Sequence, residues 1–315
     1  MHPALSIIFF TTASGAGFAL VLLVGLGVPL ALLPANAGFG FAALAIAFAL
    51  AAGGLVSSVF HLGRPERAWR AFSQWRSSLL SREGVMAVAT FVPAAIFAIG
   101  WVLFGATSGI VGLCGILAAA LAAATIYCTG MIYASLKPIH QWHNRWVVPN
   151  YLALGIMAGF LLLDLIIRFW VAWPFGTALL TLLAIIAAWG CKEAYWRFID
   201  TTSAPSTVAS ATALGRSGRV QTLELPHTQE NYLLQEMGYQ IARKHRVRLR
   251  AITRATGFAL PALLTLVALF GSTGAGVLAA ALAVASAALG LVVERWLFFA
   301  EAKHTVTLYY GAAAV

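Results

Sequence analysis

The sequence predicts an all-α integral membrane protein, eight transmembrane helices in an antiparallel bundle with short outer loops and longer basic cytoplasmic loops. Three observations predict it. Hydrophobic residues make up 61% of the 315 and charged residues only 10%, against about 25% in a soluble domain. Apolar stretches long enough to cross a bilayer, which takes about 20 residues, recur along the chain. The connections alternate between short turns and polar, basic segments.

The first span covers 5–33. It has no basic leader and is long enough to cross, so it reads as a span and not as a cleaved signal. "PANAG" at 34–38 makes the turn into the second span, 39–62. The third and fourth, 84–105 and 110–135, are joined by "GATSG". The fifth and sixth, 149–170 and 176–198, are joined by "AWPFG". The seventh and eighth, 254–272 and 276–303, are joined by "GSTGAG". Each must be helical, because backbone polar groups in lipid have to be satisfied within the segment. The Gly- and Pro-bearing junctions are turns, so successive helices should be antiparallel neighbours.

The other connections differ. Residues 61–83, "HLGRPERAWRAFSQWRSSLLSRE", carry five arginines and two tryptophans. Residues 136–148, "LKPIHQWHNRWVV", hold Lys137 and Arg145. Residues 199–253 form the longest polar segment, a linker followed by a stretch from Thr228 to Arg250 that suits a surface helix. Every Lys and Arg except Arg168 falls on the side of these loops or at helix ends facing it. The positive-inside rule puts both termini and the basic loops in the cytoplasm, in a bacterial inner membrane. The whole of 1–315 reads as one anchor domain. The net charge of +10 is explained by orientation, so nucleic acid is not an expected partner. Cys114, Cys128 and Cys191 show no paired spacing, which argues against a zinc or iron–sulfur site in this chain.

Ionisable groups inside a membrane are costly and invite a functional reading. Asp164 and Arg168, four apart, suit a structural ion pair. Glu294 and Arg295 lie in the eighth span, with Glu301, Lys303 and His304 close behind. Glu294 and Glu301, seven apart, share a helix face. His61 ends the second span, Gly63 and Pro65 shape its exit, Arg64 follows it and Glu83 opens the third span. His140, His143 and His304 are expected at the same depth. Two chemistries fit such a cluster. A quinone needs hydrogen-bond donors to its carbonyls, an apolar slot for its tail and a proton route, which His and Glu can supply. A b-type haem needs two histidines facing each other across the bundle; no such pair recurs deep in the spans, so haem is disfavoured.

"MHPALSIIFFTTASGAG", "HLGRPERAWRAF" with "LSREG", and "ERWLFFAEAKHT" together resemble the membrane anchor subunit of the dimethyl sulfoxide reductase family, over nearly the whole chain. The opening "HPALSIIFFTT" and the "QWHN" after the fourth span are similar to the branch serving cytoplasm-facing, sulfite-oxidising enzymes. The resemblance implies an anchor without a redox cofactor of its own. It would carry an iron–sulfur subunit and, through it, a molybdopterin catalytic subunit, and would bind ubiquinone or menaquinone. It assigns His61, with Arg64 as a weaker partner, to quinone binding. Glu83, Glu294 and His304 become candidates for proton exchange. Arg67, Arg70 and Arg76, interleaved with Trp69 and Trp75, offer a docking surface, with Trp142 on the neighbouring loop. No metal site is expected. The same site would serve electrons leaving sulfite for quinone, or menaquinol oxidation toward dimethyl sulfoxide. A transporter or a purely structural anchor are readings of another class; neither an internal repeat nor midplane charge on several spans speaks for a transporter.

Overall fold

The computed structural model describes residues 4–60, 62–218, 220, 223–224, 241–310 and 312. Among these there is no strand, and eight helices are long and apolar enough to cross a membrane. They are α1 (Leu5–Gly27), α2 (Ala37–Val59), α3 (Leu79–Phe104), α4 (Gly109–Ala134), α5 (Val147–Ile167), α6 (Phe175–Thr201), α7 (Lys244–Phe270) and α8 (Thr273–Ala300).

Local chemistry sets several of the ends. Asn36 caps α2 by accepting from the Phe39 N–H at 3.1 Å, and Ser78 caps α3 at the Ser81 N–H, each satisfying an orphan donor of the first turn. The first span stops earlier than its hydropathy suggests. The chain turns after Gly27, whose carbonyl accepts from the Leu32 N–H at 2.8 Å. The apolar residues 28–33 belong to that turn.

The seventh span departs furthest from expectation. An unbroken helix runs from Ile241, through a π-helical turn at Thr253–Ala259, to Phe270. Arg246 and Arg250, expected on a surface helix, stand on its first turns. The helix can begin early because its arginines find acids there, as described below. The remainder of the expected surface helix, 228–240, lies outside the described residues.

Packing is by small residues, as van der Waals association in lipid favours. Ser57 on α2 donates to the Ser6 carbonyl on α1 at 3.1 Å, and Gly17 meets the backbone of Ala47 and Ala51 so closely that a Cβ would collide with it. Residue numbers therefore fall along α2 as they rise along α1. The same relation holds between α3 and α4, where Thr90 faces Thr125 and Glu83 faces Thr129, and between α5 and α6, where Phe160 meets Thr181 and Asn150 meets Cys191. Helix α1 packs on α2, α4 and α5; α5 packs on α6 and α8; α7 packs on α6 and α8. In α1 and α5, 67% of the apolar window is buried, against 28–39% in the other six, so these two form the centre.

Candidate functional site

Buried charge concentrates at the end of the bundle where α2, α4, α6 and α8 finish and α3, α5 and α7 begin. On α8, Glu294 is fully buried. One carboxylate oxygen pairs with the Lys192 ammonium of α6, the other with the neighbouring Arg295 guanidinium. Two cations on one carboxylate leave a net positive charge, and aromatic faces share it. Lys192 Nζ lies 4.2 Å from the Tyr195 ring centre and 5.1 Å from that of Trp196. Arg295 lies 4.3 Å from Tyr151 and 5.1 Å from Phe298. Sequence reasoning missed Lys192. Its signal was its place as a basic residue deep in the sixth apolar run, but a carboxylate on another helix leaves no mark near it in the chain.

A second ionic layer lies nearer the surface. Arg250 on α7 donates to Asp200 on α6 at 2.5 and 3.2 Å and to Glu301 at 2.9 Å. Arg254 grips Glu193 at 2.6 and 2.9 Å. Burial pushes the Glu301 carboxyl up from its ordinary value, against the pull of Arg250. These pairs tie α6, α7 and the end of α8 together.

The histidines join this end through loop contacts. His140 lies 2.9 Å from the Thr202 hydroxyl and stacks on Phe198. His143 Nδ1 lies 2.6 Å from the Ala134 carbonyl oxygen. His304 accepts from the Val306 N–H at 3.0 Å. The Thr305 N–H donates to the Pro138 carbonyl at 3.1 Å, so His304 and the loop bearing His140 do lie together. Burial lowers the pKa of both His140 and His304.

Glu83 stands apart from the ion pairs. It is 4% exposed, accepts from the Thr129 hydroxyl of α4, and has no ion-pair partner among the described residues. The 3₁₀ segment Pro65–Gln74 is fastened to the same turn of α3. The Ser81 hydroxyl donates to the Ala71 carbonyl, and Arg82 donates to the carbonyls of Trp75 at 2.8 Å and Arg76 at 2.6 Å. Arg64, Arg67, Trp69, Arg70, Trp75 and Arg76 are all exposed on or beside this segment. Arg70 lies over Trp69 at 5.6 Å and Arg76 over Trp75 at 5.4 Å. Trp142 does not belong with them. It is 4% exposed and donates to the Phe298 carbonyl at 2.9 Å, so its place is in the core and its expected role in docking is withdrawn. His61 lies outside the described residues.

Between these groups is a small cavity of about 30 Å³, where the hydroxyls of Thr11, Thr12, Thr129 and Tyr151 and the Arg295 side chain meet apolar residues such as Phe18, Ile126 and Leu154. That is room for one or two waters. The Tyr151 hydroxyl is buried there beside the Arg295 and Tyr133 side chains, with no well-aligned hydrogen bond to either. At the opposite end of the bundle, Arg168 grips Asp164 at 3.0 and 3.2 Å and donates to the Ala268 carbonyl at 2.9 Å, a pair whose work is to join α5 to α7. The larger hollow at that end, about 750 Å³, is lined by residues such as Leu26, Leu33, Trp173 and Phe175 and by no ionisable side chain, so it has no means of handling protons. Among the described residues no three His, Cys, Asp or Glu side chains lie close enough to hold a metal ion.

Comparison with known proteins gives a concordant result. The family described as DMSO reductase anchor subunit matches residues 1–311. A sulfite dehydrogenase subunit of Allochromatium vinosum is 34% identical over 339 aligned positions, covering 100% of both chains. No solved structure matches.

Proposed function

The chain belongs to the family of DMSO reductase anchor subunits, and on that premise we propose that it is the quinone-reactive membrane subunit of a sulfite-oxidising complex. An iron–sulfur subunit docks on Arg67, Trp69, Arg70, Trp75 and Arg76 and carries a molybdopterin catalytic subunit. Electrons from sulfite reach quinone at the cytoplasmic interface of the bacterial inner membrane. The direction follows the name of the Allochromatium relative; the side follows the placement of the basic residues.

A quinone becomes a quinol by taking two electrons and two protons. The electrons come from the docked partner, and the protons from the cytoplasm. His61 donates a hydrogen bond to a quinone carbonyl and Arg64 holds the head group. Glu83 supplies protons. The observation that carries this reading is the setting of Glu83: buried under the basic segment, with a hydroxyl for company and no ion-pair partner among the described residues. Such a carboxyl can release and recover a proton without breaking an ion pair. Glu294, with a cation on each oxygen, instead serves as a fixed counter-charge. His304, half-buried among loop residues, lies on the way to solvent.

The test is His61→Ala in the assembled complex. A hydrogen bond to a polarised group is worth about 1.5–3 kcal/mol, so quinone-coupled turnover should fall by roughly ten- to a hundred-fold. Artificial acceptors should still take electrons from the soluble subunits. Quinone reduction at the unchanged rate and affinity would remove His61 from the site.

A further inference from the structure

The small cavity has a larger neighbour. A second cavity of about 260 Å³ lies between α1, α2, α5 and α8, lined by apolar residues that include Ala16, Leu50, Leu161 and Ala287. The two share Thr12, Ala158 and Leu291, so they adjoin across these three residues, as an apolar half and a half that bears hydroxyls. Phe9 and Val292 flank the apolar half and are 52% and 41% exposed. Both belong to spanning helices, so the mouth opens sideways into lipid.

The hydroxyl-bearing half has an unmet need. Tyr151 is 5% exposed, and its hydroxyl faces the Arg295 and Tyr133 side chains without a well-aligned hydrogen bond to either, so a water or ligand oxygen would complete its bonding. Thr129 borders the same space and connects it to Glu83. Arg295 borders it too, paired with the Glu294 carboxylate that Lys192 also holds.

We propose that these two adjoining spaces are a lateral entry site for a prenylated quinone on its way to His61, the tail lying in the apolar half and the ring pausing at the waist formed by Thr12, Ala158 and Leu291. The hydroxyl-bearing half is too small for a ring. Its one or two waters bridge the ring carbonyl to the Tyr151 hydroxyl and to Thr129, and so to Glu83. A phospholipid fits poorly. Arg295 stands five residues inside the end of α8 and Tyr151 four residues inside the start of α5, about 6–8 Å along the axis at 1.5 Å per residue. A charged head group would have to be drawn that far through an apolar mouth, whereas a ring with two carbonyls carries no charge. This site extends the proposed function by giving the quinone a path from the bilayer to the proton-bearing residues, and it rests on that reading.

The experiment uses the assembled complex in membranes, with a short-chain ubiquinone as substrate and an azido derivative of it as a photolabel. Artificial-acceptor rates measure how much enzyme is present. Ala288 lines the slot and is exposed to lipid, so Ala288→Trp narrows the mouth without disturbing the core. It should raise the KM for quinone at least tenfold with kcat largely kept. Tyr151→Phe should lower kcat/KM by about tenfold. In the unaltered complex the photolabel should attach to α1, α5 or α8, and free quinone should compete it away. Labelling confined to the neighbourhood of residues 61–64, with ordinary kinetics in both variants, would overturn the slot and leave the quinone function standing. So would labelling that phospholipid displaces as well as quinone does. If the unaltered complex neither reduces nor binds quinone, the proposed function fails first and this site with it.

Discussion

Thr129 on α4 donates its hydroxyl to the buried carboxyl of Glu83 on α3, within one helical turn of the point where the basic segment is fastened to α3. This contact joins the candidate proton donor to the cavity that Tyr151 and Arg295 border. Glu83→Gln keeps the shape and loses the exchangeable proton. Quinone-coupled turnover should fall by about a hundredfold or more, the scale on which general acid–base groups act, while the complex still assembles. Thr129→Val, which removes only the donor, should have a smaller effect of about threefold to tenfold. Steady-state rates with quinone, set against rates with an artificial acceptor, check both; equal rates in Glu83→Gln would exclude it as the donor.

The buried triad makes an asymmetric prediction. Removing Lys192 leaves the Glu294–Arg295 pair intact, whereas removing the charge of Glu294 leaves two like cations buried together. Glu294→Gln should therefore be the more damaging change, by about 3–5 kcal/mol, the cost of stranding a buried charge. Lys192→Met should cost distinctly less. Thermal unfolding in detergent would rank them, and the reverse order would contradict the pairing described.

Docking should depend on the exposed arginines. Arg67→Glu combined with Arg70→Glu opposes the carboxylates that a guanidinium fork would grip, and should release the soluble partners from washed membranes. The same variant should leave the thermal stability of the isolated anchor nearly unchanged, because both side chains are exposed. Partners that stay bound through a salt wash would place their surface elsewhere.

Stability should respond to pH through two opposed effects. His140 and His304 have their pKa lowered from 6.5 by burial, so the unfolded chain binds more protons as pH drops through about 6.5. Their contribution is complete above that pH and is lost as pH falls toward the folded values. Glu301, raised from 4.5 by burial, acts the other way: its contribution is complete below about 4.5 and is lost as pH rises through the folded value. Acidification from about pH 7.5 to 6 should thus lower the melting temperature through the histidines. His140→Gln should flatten that slope, and Glu301→Gln should flatten any decline on the alkaline side. Melting curves across the range check the signs.

Reporter fusions check orientation. A cytoplasm-dependent reporter should be active when fused after residue 210 and silent after residue 36, where an export-dependent reporter should be active. The opposite pattern would invert the assignment.

The spans were legible because hydropathy and length decide them; each of the eight expected ranges overlaps one of the eight long helices. Ends were less so. Residues 28–33 are apolar enough to extend α1, but a turn at Gly27 ends it, and hydropathy does not register turns. The start of α7 was hidden for the opposite reason. Arg246 and Arg250 look like residues of an aqueous surface, and only the positions of Asp200 and Glu301 elsewhere in the chain show where their charge is met. The same holds within the site. Glu83 and Glu294 were both visible as intramembrane carboxyls, yet what separates them is the company each keeps: a hydroxyl on the next helix for one, Lys192 and Arg295 for the other. Tyr151 carried no sequence signal at all, since one tyrosine in an apolar helix looks like any other.

The π-helical turn at Thr253–Ala259 sets the rotational phase of α7. Within it, Gly257 lies so close to Gly290 of α8 that a Cβ on Gly290 would collide with the Gly257 backbone, which fixes the outer part of the helix against its neighbour. Before it, Arg250 must aim at Asp200 and Glu301. A helix wound at 3.6 residues per turn advances about 100° with each residue, and a π turn absorbs one residue more than an α turn does. Rewinding the same residues as plain α-helix, with none deleted, would swing Arg250 through about that angle, away from both acids, while every apolar residue beyond kept its seat. The turn works as a fixed angular offset between the charged base of the helix and its membrane-packed shaft.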